Sequence, residues 1–470
     1  MSLREIVGQS LWTLRQFGPS RASPAQLRMV QERRLRQLLC FAADRSPFYR
    51  DRLRGLDLDH CPLTAIPPTN KAELMADFDR VVTDATVRRA DLERFVDDPA
   101  NVGKRFLDRF PVCHTSGSQG QPLLLVHNQL TLDVLFACQM TRGNAGYRVG
   151  FVEAAKRLFS PARLAVVISR PGFFPSAWVW KHLPRGLRPY VRLLYVSAGD
   201  PDLMAKLAAF RPTVLTSTPT TLDLLALRPD RPRFDALRQV VTWSETLTAG
   251  VRERLLAAYG APVRDTYGCG ECLFLSNGCP THPGAHVNAD WAILEVVGAD
   301  GRPVPAGEAG YKVYLTNLAN PVQPLIRYEL GDRLRMATAR CACGSRLPRI
   351  ETIDGRAAEV FRIDTATGPK VLTAYPFQHA FDHFRGVREW QATQLDGRRV
   401  RVRFELLPGA TLDRDATRAR LNDRLALAGF AGVPEVSFEV VPRLEADPAT
   451  GKFQRMRPAA APASSGRSAA

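Results

Sequence analysis

Between residues 165 and 259 the chain alternates short apolar runs with segments of helical spacing, and that alternation limits its fold more than any other feature. Residues 165–169, 193–197, 214–217 and 240–243 read as buried strands, and 202–210, 220–227 and 251–259 read as helices. Strands that alternate with helices favour an α/β layered fold. Upstream, Leu35, Leu38, Leu39 and Ala42 lie on one helical face, Ser46-Pro47-Phe48-Tyr49 interrupts the pattern, and residues 66–70 form a turn before a helix that starts near Lys71. A further helix is expected over 130–141. Downstream, Val400, Val402, Phe404 and Leu406 alternate as a strand, a helix fits 413–428, and 436–441 reads as another strand, which suits a compact α+β unit. The expectation is therefore a large multi-layer N-terminal domain over residues 1–356, a small α+β C-terminal domain over 357–458, and a disordered Ala/Ser/Pro-rich tail over 459–470.

A length of 470 residues fits more than one domain. No apolar run is long enough to span a membrane and the first residues lack the order of a signal peptide, so cytoplasmic residence is expected. The net charge of +17 invites a nucleic-acid partner. Against that, only eight of the 64 basic residues are lysines, the arginines are interspersed with acids throughout, and no basic-aromatic array appears, so none is expected. Lys181, Arg185, Arg188 and Arg192 could still form a local patch, and Phe173, Phe174, Trp178 and Trp180 beside it suit either core or a site for greasy ligands.

Four stretches carry chemistry. His114-Thr115-Ser116-Gly117-Ser118-Gln119-Gly120-Gln121-Pro122 gathers hydroxyls and glycines, so backbone N–H and side-chain O–H donors can face one anion. It is not a P-loop, because it lacks the lysine and runs into the apolar residues 123–126, a strand rather than a helix. Trp243-Ser244-Glu245 ends one strand; Tyr267-Gly268-Cys269-Gly270-Glu271 ends another and offers an aromatic face to a base and a carboxylate to a magnesium-bound phosphate. Leu325-Ile326-Arg327-Tyr328-Glu329-Leu330-Gly331-Asp332 ends in an aspartate that can accept ribose hydroxyls.

Taken in order, and with Asp354-Gly355-Arg356 and Thr450-Gly451-Lys452 added, these motifs resemble the adenylate-forming enzymes, in their phenylacetate-CoA ligase-like and capsule-biosynthesis-like branch. The resemblance extends from Ser46 to Lys452, and includes His286-Val287-Asn288-Ala289-Asp290 and the Cys-Gly-Ser-Arg run that ends at Arg349. It implies an ATP- and carboxylate-binding domain with a mobile lid hinged after Arg356. A carboxylate would attack the α-phosphorus of ATP, and the acyl-adenylate would pass to a thiol, usually coenzyme A. By the same resemblance Thr115, Ser116, Gly117, Ser118 and Gly120 hold the outer phosphates, Tyr267 with Gly268 lies near adenine, and Ser244 and Glu245 belong to the nucleotide site. Glu271 holds Mg2+, Asp332 holds ribose, Arg356 lies at the hinge, and Lys452 is the cation that meets the charge developing on the phosphates.

The chain departs from that pattern in three places: Gln121 stands where the family commonly has lysine, Gly270 where it has a hydroxyl residue, and Ala357-Ala358 where it has an acidic pair. The reading is an acid–thiol ligase acting on an aromatic or other hydrophobic acid. Delivery to an amine, sugar or carrier protein, or a degenerate nucleotide-binding protein without chemistry, remain the alternatives, and a homodimer is left open. Of nine cysteines, Cys272, Cys279, Cys341 and Cys343 form two pairs suited to a structural Zn2+, with Cys269 and His282 as substitutes and plain core thiols as the alternative. Cys40, Cys61, Cys113, Cys138, His60, His127, His379 and His383 read as packing residues.

Overall fold

The computed structural model describes residues 8, 11–13, 15–16, 18–115, 122–142, 161–168, 172–175, 179–356, 360–366, 368–381, 384, 386–445 and 453–459, with backbone alone at 354–356, 375 and 379. The chain divides into two compact units, Met1–Leu247 with Arg252–Ile353 and Thr248–Val251 with Asp354–Ala470.

In the first unit β1 (Val112–His114) and β2 (Leu124–Val126) form an antiparallel hairpin. The outer edge of β2 is closed by side chains instead of a third strand. Gln323 Oε1 accepts from Val126 N at 2.8 Å, Gln323 Nε2 donates to Leu124 O at 3.0 Å, and Asn320 Nδ2 donates to Val126 O at 2.9 Å. These amides satisfy backbone groups that burial would otherwise leave unpaired.

The alternating region becomes a five-stranded parallel sheet. Its strands are β3 (Ala162–Ile168), β4 (Val191–Ser197), β5 (Val214–Ser217), β6 (Gln239–Trp243) and β7 (Val263–Thr266), in the order β4-β3-β5-β6-β7. Helices Leu203–Phe210, Pro219–Ala226 and Ala249–Tyr259 supply the connections. The apolar runs of β3 and β5 are largely buried, as parallel strands covered on both faces require.

Two antiparallel sheets complete the unit. One joins β10 (Ala292–Val297), β11 (Lys312–Asn317) and β12 (Tyr328–Leu330). The other has the order β13-β14-β9-β8, from β8 (Ser276–Gly278), β9 (Ala285–Val287), β13 (Asp332–Met336) and β14 (Arg349–Arg356). Gly331 passes the chain from β12 to β13, and so from one sheet to the other.

Helix Pro24–Arg45 ends where the sequence breaks, and Ser46 caps the next helix, Pro47–Arg52, by accepting from Tyr49 N. Tyr49, fully buried, donates its hydroxyl to Pro324 O at 2.9 Å and accepts from Ile326 N at 3.3 Å, so the Ser-Pro-Phe-Tyr motif anchors the run that leads into Tyr328. A buried ionic hub lies below: Arg142 holds Asp290 with both terminal nitrogens, at 2.6 and 2.8 Å, and reaches Asn288 Oδ1 at 2.9 Å. Arg34 meets Asp290 at 3.1 Å and stacks over Trp291.

The second unit is built on a four-stranded sheet. From β17 (Val387–Gln394), β18 (Arg399–Leu406), β19 (Glu435–Val441) and β20 (Met456–Arg457) it takes the order β19-β18-β17-β20, and a separate hairpin pairs β15 (Phe361–Thr365) with β16 (Gly368–Leu372). Helix Arg414–Leu427 lies between β18 and β19, where the sequence places it. Phe377, Phe381, Trp390, Phe404 and Phe438 form an aromatic core. The short β20 pairs in parallel with β17, and Arg455 locks it by donating to both oxygens of Glu389. Among the described residues no helix is long and apolar enough to cross a membrane.

Candidate functional site

Ligands of parallel α/β sheets collect beyond the carboxyl ends of the strands. Trp243 and Thr266 are paired at the ends of β6 and β7, so Ser244 and Tyr267 leave the sheet side by side. Ser244 takes a left-handed backbone with φ of 68°, an uncommon conformation for a residue with a Cβ. Glu245 accepts from Thr220 N at 3.1 Å at the start of helix Pro219–Ala226. Asp265, on β7, has its carboxyl pushed up to about 6 by burial, against the opposing Thr242 hydroxyl and the Arg252 charge.

Tyr267 is held at both ends. Ser276 Oγ accepts from its N at 3.1 Å and donates to its O at 2.7 Å, while the phenol donates to Asp332 Oδ2 at 2.6 Å. Burial and then the Asp332 charge push the Tyr267 hydroxyl well above its ordinary pKa, so it stays a donor. Gly268 and Cys269 follow, and Cys269 and Cys272 bridge each other to form the tight turn that presents Glu271.

Glu271 is buried, and its carbonyl accepts from Asn317 Nδ2 at 2.7 Å. Its carboxylate faces the Tyr328 hydroxyl, whose pKa burial and the Glu271 charge raise. The two motifs are thus cross-linked: the tyrosine of each serves the acid of the other. Glu271 and Asp332 both act on Tyr267 and on Tyr328, which sets the two carboxylates on one side of the unit.

Lys71 is a residue that motif reading passed over. Thr69 bridges Tyr328, with Thr69 N donating to Arg327 O at 3.0 Å and Glu329 N to Thr69 O at 2.8 Å, and this delivers Lys71 into the field of Glu271. Partial burial lowers the Lys71 pKa and attraction to Glu271 opposes that shift. A signal was available, since lysine is rare in this arginine-rich chain.

Thr115 closes the base of the hydroxyl-rich loop. Its N donates to Leu123 O at 3.0 Å and its Oγ1 accepts from Leu123 N at 3.0 Å. Ser116, Gly117, Ser118, Gly120 and Gln121 lie outside the described residues, as do Thr450, Gly451 and Lys452; for Arg356 the backbone alone is described.

The absence of a hydroxyl side chain at Gly270 has a packing reason. A Cβ there would stand 2.8 Å from Leu125 Cδ1 and 3.8 Å from Cys113 Sγ. Leu125, the centre of β2, is fully buried, so the hairpin below Thr115 packs directly against the turn that carries Glu271. His127 fills the same junction. It is fully buried, lies beside the Gly270 backbone and 3.6 Å from Cys113 Sγ, and has its pKa pushed down to about 4 by burial.

One member of the expected cysteine quartet is misplaced. Cys279, Cys341 and Cys343 converge with His286, whereas Cys272 lies in the hydrophobic core beside Cys138. The reason is its position inside the Glu271 turn, whose inward face is committed to packing. His286 replaces it because the β9–β14 pairing sets His286 opposite Arg349, next to the 341–348 loop.

Comparison with known proteins agrees with this geometry. The sequence matches the family of AMP-binding enzymes over residues 59–314, more than half of the chain. It is 27% identical over 380 residues to a phenylacetate-coenzyme A ligase of Thermus thermophilus, spanning 75% of this chain and 74% of that protein. The fold resembles a 2-hydroxyisobutyryl-CoA ligase in its postadenylation state, with a TM-score of 0.66 and 20% identity over 94% of this chain and 90% of the other. It also resembles the amide bond synthetase McbA of Marinactinospora thermotolerans, with a TM-score of 0.52 and 17% identity over 73% and 67% of the two chains. With its motifs gathered at the carboxyl ends of a parallel sheet, this chain belongs to the AMP-binding enzymes, the adenylate-forming family its sequence resembles.

Proposed function

We infer that the protein is an AMP-forming acid–thiol ligase that activates an organic carboxylic acid with ATP and passes the acyl group to coenzyme A. The observation that carries this reading is the crossed pairing of Tyr267 with Asp332 and of Tyr328 with Glu271, which holds two carboxylates ready on one side. Asp332 keeps acceptor capacity for ribose hydroxyls, because a carboxylate has about four lone-pair sites and Tyr267 uses one. Glu271, a hard oxygen donor beside the phosphate-loop hairpin, suits Mg2+, which usually takes one or two carboxylates and otherwise phosphates and water.

Lys71 answers the departure at Gln121. It supplies a cation beside Glu271 from a different part of the chain, where charge develops on the leaving phosphates. Lys452 takes the second cationic role in this reading, from its place just before Phe453. An aromatic acid is favoured by the rings at the loop base: His114 lies edge-on to Phe174 at 5.1 Å, and Phe173 bridges His114 and Phe95. The phenylacetate-coenzyme A ligase relative points the same way.

ATP–pyrophosphate exchange across a panel of aryl, arylacetic and short aliphatic acids tests the first half-reaction, and thioester formation on adding coenzyme A tests the second. Exchange without thioester, with amide formed from added amines, would redirect the acceptor. No exchange with any acid while ATP still binds would overturn the enzymatic reading.

A further inference from the structure

Outside the nucleotide region, four side chains with metal-ligating atoms lie within 4.8 Å of one another: Cys279, His286, Cys341 and Cys343. Cys279 Sγ is 3.3 Å from Cys341 Sγ, and Cys343 Sγ is 3.3 Å from His286 Nε2. The first separation is far beyond the ~2.05 Å of a disulfide. Both suit neighbouring corners of a tetrahedron around Zn2+, given Zn–S near 2.3 Å and Zn–N near 2.0 Å.

The surroundings are arranged around these four atoms. His286 Nδ1 lies 3.1 Å from Leu347 O, and donation to that carbonyl directs the lone pair of Nε2 toward the sulfurs. A second hydrogen bond of this kind is what fixes the tautomer and orientation of a metal-bound imidazole. Ser345 N donates to Cys343 Sγ at 3.4 Å, and Gly344 makes the turn that allows it, with φ of 87°. His282 Nδ1 comes within 3.4 Å of Cys341 Sγ, but it is exposed and lies 2.8 Å from Thr281 Oγ1, outside the quartet.

Plain thiol packing does not account for the cluster. Cys341 and Cys343 are only half-buried, at the rim of the sheet β13-β14-β9-β8, where apolar packing would contribute little. Regular structure at that rim is short. β8 and β9 are three residues each, and the segment between β13 and β14 has no regular structure of its own. Strands this short need a further constraint to hold their register.

We propose that Cys279, His286, Cys341 and Cys343 bind one Zn2+ as a closed structural site that staples the β13–β14 connection to the β8–β9 hairpin. Four protein ligands leave no open position for water, so the metal takes no part in chemistry. Three thiolates and one imidazole select Zn2+ over hard cations such as Mg2+ or Ca2+. The staple is independent of the ligase reading. It would serve any function of this unit, because β13 begins with Asp332 and Ser276, at the start of β8, clasps Tyr267.

The test uses the full chain, purified from zinc-supplemented cells and measured by elemental analysis. One zinc per chain is expected, falling to the buffer level in the Cys341→Ser/Cys343→Ser double variant and staying at one in Cys40→Ser. To keep the test independent of variant folding, the wild-type chain is also stripped and titrated with Co2+. The d–d bands of a tetrahedral ion with thiolate charge transfer are expected, bleached by one equivalent of Zn2+. Wild-type protein that holds no zinc and gives no thiolate-to-cobalt band would overturn the proposal. So would a Cys279–Cys341 disulfide in the freshly isolated chain. Neither result bears on pyrophosphate exchange, so the two proposals fail separately.

Discussion

Tyr267 donates its phenolic hydrogen to Asp332 at 2.6 Å, across 65 residues of chain, and thereby joins the end of the parallel sheet to the first residue of β13. The bond makes the candidate ribose acceptor and the candidate adenine neighbour one unit. A hydrogen bond to a charged group contributes about 1.5–3 kcal/mol. Tyr267→Phe is expected to lower unfolding free energy by about 1–2 kcal/mol in urea titrations and to weaken ATP binding by calorimetry. Asp332→Asn should weaken ATP more than Tyr267→Phe does. Unchanged stability and affinity in Tyr267→Phe would contradict the role given to this bond.

Lys71 gives a sharper kinetic prediction. Removing a cation that acts on developing phosphate charge costs about 10²-fold in rate. Lys71→Ala should therefore slow pyrophosphate exchange by about that factor, with Lys71→Arg recovering part of it. Because Lys71 is half-buried at a helix start, its thermal midpoint should hardly move. A loss confined to the midpoint, with exchange intact, would make Lys71 structural only.

Gly270→Ser adds a hydroxyl side chain but must push Leu125 aside. Overpacking of this kind typically costs about 1–3 kcal/mol. The single variant is expected to be less stable and slower in exchange, and Leu125→Ala placed with it should recover exchange relative to Gly270→Ser alone. An active and fully stable Gly270→Ser protein would show that the hairpin yields freely.

The Arg142–Asp290 pair is nearly inaccessible to solvent, with exposures of 2% and 0%. Breaking one side of such a pair leaves a buried charge unmatched and costs about 3–5 kcal/mol. Asp290→Ala should lower the unfolding free energy from urea titrations by that amount, while Asp300→Ala, at an exposed pair, should change little. Comparable effects of the two would argue against the hub.

His127 predicts the acid side of the stability curve. Its folded pKa near 4 lies below the ordinary 6.5, so between those values the unfolded chain binds the proton and the folded one does not. Stability should fall as pH drops from about 6.5 toward 4, by roughly 3 kcal/mol from this group. Urea midpoints across that range should show a shallower slope in His127→Asn. Asp265 acts in the same window with opposite sign, since its raised carboxyl binds a proton in the fold that the unfolded chain has released. An acid slope unchanged by His127→Asn would remove His127 as its source.

Much of the fold was legible from periodicity. β5 occupies 214–217 as the spacing predicts, and the helices at 203–210, 249–259 and 414–427 lie within two residues of expectation. Glu271, Tyr267 and Asp332 could be singled out because each stands in a polar stretch that follows an apolar run. Tyr328 stood inside a quoted motif, yet its service to Glu271 was not readable. Lys71 read only as a helix start, and His127 as packing. Cys279, Cys341 and Cys343 could be grouped by spacing, but the fourth partner could not, since His286 reaches them only through pairing with Arg349.

The amino-acid order alone determined which residues form strands and helices and which polar groups stand at their ends. Those preferences act over a few bonds and repeat with the local period. Tertiary structure decided which acid each tyrosine serves, why Gly270 carries no side chain, and which imidazole joins three sulfurs. These are contacts between sheets, made where apolar faces exclude water and leave each buried polar atom to find a partner far along the chain.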